Sequence, residues 1–124
     1  MGLLVVFFGG GLGACLRYLF SLWAGKKFGI TYWATFWINV LGCAFLGFIS
    51  ALAVRYSNLF NDSTILFLTT GVAGGFTTFS TFSGENINLL KNGETLKCII
   101  YTASSLFFGL LSVCLGFWIA NYFL

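Results

Sequence analysis

The chain has 124 residues, 59% of them hydrophobic and 7% charged, with six Lys or Arg against three Asp or Glu and a net charge of +3. Soluble domains carry roughly 25% charged residues. So little polar material cannot cover a water-facing surface, which excludes a soluble globule. The charges, Arg17, Lys26, Lys27, Arg55, Asp62, Glu85, Lys91, Glu94 and Lys97, fall mostly in clusters between long uncharged stretches, the layout of a polytopic membrane protein. No basic run exceeds Lys26-Lys27, so a nucleic-acid partner is not expected. The four cysteines, Cys15, Cys43, Cys98 and Cys114, form no close pair and read as small packing residues, not a zinc site or disulfide framework.

A membrane-spanning helix needs ~20 mostly apolar residues, and four stretches qualify, about 3–24, 32–54, 64–90 and 98–123. The connections are short, which predicts antiparallel neighbouring helices in a single all-α domain over residues 1–124. The first stretch opens without a Lys or Arg ahead of it, so no cleaved leader is expected. It carries Gly9-Gly10-Gly11 with Gly13, which suits close helix packing in lipid. Arg17, about two turns before its end, reads either as a snorkelling side chain or as a lure for anions. The second stretch has Trp33 and Trp37 near its start and Tyr56 at its end, and the fourth ends with Trp118 and Tyr122, as interfacial aromatic belts do.

The third stretch places Gly74-Gly75 directly before Phe76-Thr77-Thr78-Phe79-Ser80-Thr81-Phe82-Ser83. Glycine is a weak helix former and hydroxyls can replace lost backbone bonds, so a helix break is expected there, at mid-membrane depth. Such a break survives only when buried in protein or facing a cavity, and so marks a site. Past the break, Thr78, Thr81 and Glu85 recur at spacings of three and four on one helical face, and Phe79, Phe82 and Asn86 on the next. Phenyl edges alternating with hydroxyls suit the wall of a narrow path better than a lipid-facing surface.

Cation routes usually present rings of carboxylates or carbonyls, whereas this chain offers one membrane carboxylate and an excess of donors in Asn39, the hydroxyls and Arg17. Phenyl edges carry the positive part of the ring quadrupole, and a restarted helix aims free N–H groups inward, so a small anion matches best. Carbonyls freed at the break could equally hold one small cation. With no His, no nucleophile–base pair and no phosphate loop, an enzyme is not expected.

At these residues the sequence resembles the Fluc (CrcB-type) fluoride channels. The resemblance runs through Gly9–Ala14 with Arg17-Tyr18, through Asn39-Val40-Leu41-Gly42 with Gly47, and through Thr70-Gly71 to the Gly-Gly-x-Thr-Thr-Phe-Ser-Thr-Phe-Ser-x-Glu string ending at Glu85. It implies a passive, selective fluoride-export channel in the cell membrane, built as an antiparallel dimer with two pores. It also implies one structural, non-transported sodium ion at the dimer centre, held by the Gly74 and Thr77 carbonyls. Phe79 and Phe82 would contact fluoride through ring edges and Asn39 would donate to it. Thr81, Glu85, Tyr101 and Ser105 would form a polar track, and Arg17 would stand at the vestibule.

Four short helices bury too little to enclose a pore alone, which independently favours a dimer. Loop charges set an orientation: Arg55 stands alone on one side, and Lys26, Lys27, Lys91 and Lys97 on the other. The positive-inside rule then puts the first and third loops in the cytoplasm. A dual-topology homodimer would show near balance, so this bias instead suits a heterodimer with an oppositely oriented paralogue. A small four-helix multidrug or cation exporter would share the size, but it would want a carboxylate in the first span, where this chain has none.

Overall fold

With no proline in the chain, every long apolar stretch can close its backbone hydrogen bonds internally, which lipid requires. The computed structural model describes residues 1–29 and 31–124, the side chain of Thr31 excepted, and it is all-helical over its long elements. The first helix, Gly2–Phe28, stops where Gly29 turns left-handed at φ 68° and bonds back to the Gly25 carbonyl. That conformation costs glycine little. Lys26 and Lys27 occupy the last turn, where the helix dipole favours cations. The helix therefore runs past the expected end at residue 24, because lysines in a last turn reach water without ending the helix. The second helix is Thr31–Arg55 and the fourth is Thr95–Phe123.

The third span starts at an Asn61 cap, whose Oδ1 accepts the Thr64 N–H at 2.8 Å. It proceeds through Asp62–Leu66, a wide π-helical segment Phe67–Ala73 and the short turn Gly74–Phe76, then restarts as Phe79–Lys91. All four spans are long and apolar enough to cross a membrane.

The break lies beyond the glycines. Gly74 keeps helical torsions, φ −63° and ψ −40°, while Thr77 (φ −77°, ψ 157°) and Thr78 (φ −149°, ψ 117°) are extended. Two forces move it there. A Cβ on Gly75 would run into the Gly10 carbonyl of the first helix, so glycine is present at that position for close packing and the helix continues through it. The β-branched threonines that follow suit extended backbone.

Two seams hold the spans together. A Cβ on Gly9 would lie 2.6 Å from the Phe67 carbonyl oxygen, and Gly47 and Gly116 press the second and fourth helices together against the Val113 and Ala44 carbonyls. Such contacts replace the hydrophobic drive that lipid does not supply. Accordingly Ile38 is the one large side chain under 2% exposed among the described residues, while Phe7, Phe107, Trp118 and Tyr122 face outward.

Candidate functional site

Interrupting a helix at membrane depth strands peptide groups that water cannot reach. Asn39, on the second helix, meets both of those at Thr78: its Nδ2 donates to the Thr78 carbonyl at 3.1 Å and its Oδ1 accepts the Thr78 N–H at 2.8 Å. A side-chain amide carries both a donor and an acceptor, so it can stand in for a peptide. The Thr77 N–H and hydroxyl both donate to the Ala73 carbonyl at 3.0 Å. Thr78 Oγ1 caps the restarted helix, accepting the Thr81 N–H at 3.2 Å and donating to Thr81 Oγ1 at 3.0 Å. Thr78 is therefore the cap, outside the helix, and does not share a helical face with Thr81 and Glu85 as its spacing suggested.

Arg17 is also tied to the break. Its Nε donates to the Gly75 carbonyl at 3.1 Å, one of the acceptors the interruption frees. The first helix runs on to Phe28, which puts Arg17 about 16 Å from its end at ~1.5 Å per residue. Of the two readings of Arg17, this bond favours the one that turns it toward the break, where a freed carbonyl accepts from it.

The Gly74 and Thr77 carbonyls accept no hydrogen bond described in the structure. Together with Asn39, Gly42, Thr69 and Thr78 these two residues line an open hollow of about 290 Å³. Phe79 stands at its edge, 78% exposed. The Phe79 ring lies 5.7 Å from that of Phe82, which in turn lies 5.1 Å from Tyr101.

A second polar cluster follows on the restarted helix. Glu85 Oε1 accepts from Thr35 Oγ1 at 2.5 Å and Oε2 from Tyr101 at 3.2 Å, so both carboxylate oxygens are engaged within the protein. Next in sequence and on the adjoining face, buried Asn86 donates to the Phe82 carbonyl at 3.1 Å and accepts from Thr102 at 3.2 Å. These bonds fix Phe82 and the restarted helix against the fourth. Ser105 joins neither cluster: its Oγ is buried without a hydrogen-bond partner. The structure thus gathers Arg17, Asn39, Gly74, Thr77, Phe79 and Thr81 at the break and Glu85 with Tyr101 beyond it, with Phe82 between. Thr35 and Thr102 are not among the expected site residues, and Asn86, expected on the Phe79–Phe82 face, instead ties that helix to the fourth. For Thr35 a signal existed, since it lies four residues before Asn39 on the same helical face.

A four-span membrane protein whose interrupted helix opens onto a line of hydroxyls, amides and rings is built to pass a small solute, and it holds no arrangement for bond-breaking chemistry among the described residues. Residues 4–117 match the family described as CrcB-like protein, Camphor Resistance (CrcB). The chain is 41% identical over 120 residues to the fluoride-specific ion channel FluC of Phocaeicola vulgatus, covering 96% of this chain and 98% of that one. It is 45% identical over 114 residues to the protein of the same name from Clostridium perfringens, covering 91% and 88%. With that from Thermus thermophilus it shares 40% over 115 residues, covering 92% and 89%. The chain belongs to the CrcB-like family of multi-pass membrane channels and is not an enzyme.

Proposed function

We propose that this chain conducts fluoride passively and selectively out of the cell, venting fluoride that enters as neutral HF and ionises inside. The observation that carries the reading is the Asn39 clamp on Thr78, which holds open a mid-membrane helix start beside Phe79 and Phe82. At that start the Phe79 and Ser80 N–H groups make no described hydrogen bond, and free N–H groups there favour an anion. Phenyl edges add positive quadrupole without a mobile counter-charge. Thr81 extends the donor line, and Tyr101 and the unpartnered hydroxyl of Ser105 continue it. Glu85 directs the Thr35 and Tyr101 hydroxyls and spends its charge on them. Arg17, with only its Nε engaged, keeps donors for an approaching anion.

The functional unit proposed is an antiparallel dimer. Phe79 exposes its ring, and Gly74 and Thr77 line an open hollow beside it, an unfinished surface that a second copy or a paralogue would complete. The donor chemistry there fits a sodium ion, since unwound-helix carbonyls are its usual membrane ligands. Gly74 and Thr77 would hold it, and a bound sodium would supply fixed positive charge that offsets the freed carbonyl dipoles. Purified protein in vesicles tests the whole reading: a fluoride electrode should record efflux, with none of chloride. Fluoride retention, or equal leakage of both ions, would overturn it, and proton-driven extrusion of organic cations would favour the small exporter instead.

The loop charges support one orientation, with pairing to an oppositely biased paralogue. The Lys97–Glu94 ion pair at 3.0 Å does not weaken this, because the rule counts Lys and Arg and not net charge. Reporters fused to the C-terminus should signal almost wholly from outside; equal signals from both sides would reject the single orientation.

A further inference from the structure

Between the first and second helices, at the end carrying the first loop, lies a cleft of about 500 Å³ walled by Phe20, Trp23, Phe28, Trp33, Trp37 and Leu41. Its lining is almost wholly apolar, so nothing in the walls selects a ligand. The rim differs. Lys27 Nζ lies 5.2 Å from the Trp23 ring centre and 5.7 Å from that of Phe28, both of them walls of the cleft, and Lys26 precedes it. Cation–π attraction thus holds the ammonium beside two of the aromatic residues that wall the cleft.

Among the described residues, neither lysine has an acidic partner. Residues 1–61 contain no Asp or Glu, and among the described residues the one ion pair is Lys97–Glu94. That pair provides an internal comparison. A second apolar cleft of about 470 Å³ lies against other faces of Trp33 and Trp37, and its wall includes Lys97, whose charge Glu94 already meets. Two clefts of similar size and lining therefore differ in whether the nearby lysine is answered from within the chain.

We propose that the first cleft is a binding site for an anionic phospholipid, its acyl chain between the tryptophans and its phosphate on Lys26 and Lys27. An unpaired basic pair above an aromatic-lined slot at the interface matches an amphiphile with an apolar tail and a negative head. A zwitterionic lipid would fill the slot without answering the charge. The loop side is the one that the charge count places in the cytoplasm, where anionic lipid is abundant.

The test uses the protein with Trp118→Phe, which removes the fluorophore at the far end, in phosphatidylcholine vesicles. These contain graded fractions of phosphatidylglycerol or phosphatidylcholine with brominated chains, which quench nearby tryptophan. Brominated phosphatidylglycerol should reach half-quenching at roughly thirtyfold lower mole fraction, about fivefold for each of the two juxtamembrane lysines. Lys26→Gln with Lys27→Gln should erase the preference, and Lys97→Gln should keep it. Equal quenching by both lipids would overturn the proposal by showing bulk lipid in the cleft, and quenching by neither would do so by showing a second copy over it. A preference that survives the double substitution, or that Lys97→Gln removes, would overturn the assignment to Lys26 and Lys27.

Discussion

Asn39→Asp is expected to abolish fluoride flux from protein that still inserts and purifies. Two losses coincide at one atom. The Nδ2 that donates to the Thr78 carbonyl becomes an oxygen facing an oxygen, leaving a half-buried acceptor unpaired at up to about 1–3 kcal/mol. The Oδ1 that accepts the Thr78 N–H remains, so the break loosens without collapsing. The second loss is electrostatic. A carboxylate about 4 Å from a passing anion costs about 4 kcal/mol at an effective dielectric near 20, or roughly three orders of magnitude in rate. Asn39→Leu separates the terms, since it removes both clamp bonds and adds no charge. Flux in Asn39→Leu should be reduced but measurable in the electrode assay. Near-parent flux in Asn39→Asp would remove this side chain from the ion path.

Why Asn39 could be picked out and Thr35 not illustrates how much of the site was legible. Hydropathy marks the four spans because lipid demands a long apolar helix, and the observed helices differ from the expected stretches only at their ends. The existence of a break was also legible, since Gly74-Gly75 followed by hydroxyls is costly to hold in a helix. Its position was not. Helix propensity is worth only about 1 kcal/mol at a glycine, and the close approach of Gly75 to Gly10, which holds the helix through the glycines, joins residues far apart in sequence. The π segment Phe67–Ala73 left no compositional mark. The Arg17 contact with the Gly75 carbonyl was not legible either, because it joins residues 58 positions apart. Thr35 shares a helical face with Asn39, which is a weak signal among Tyr32, Trp33, Phe36 and Trp37; its partner Glu85 lies 50 residues on, and only the fold brings the two together.

The ring-edge role of the two phenylalanines is best decided at Phe79. Its ring is 78% exposed, so within one chain Phe79→Ile forfeits little packing, and a fall in flux would report on chemistry more than on stability. Phe82→Ile is the harder case, because Phe82 is half-buried against Tyr101 at 5.1 Å and a smaller side chain leaves space beside the Glu85 cluster. Ring-edge contacts are worth about 0.5–1.5 kcal/mol beyond burial, so each substitution should slow fluoride about two- to tenfold, measured by electrode on vesicles of matched protein content. Phe79→Ile should do so with unchanged size-exclusion behaviour, whereas Phe82→Ile should also lower thermal stability. If edges and not bulk are what the ion uses, Phe79→Tyr, which keeps the quadrupole, should retain most of the flux that Phe79→Ile loses. Parent-like flux in both isoleucine variants would take the rings out of the path and leave conduction to the N–H and O–H donors alone, the second half of the mechanism, which Asn39→Asp tests separately.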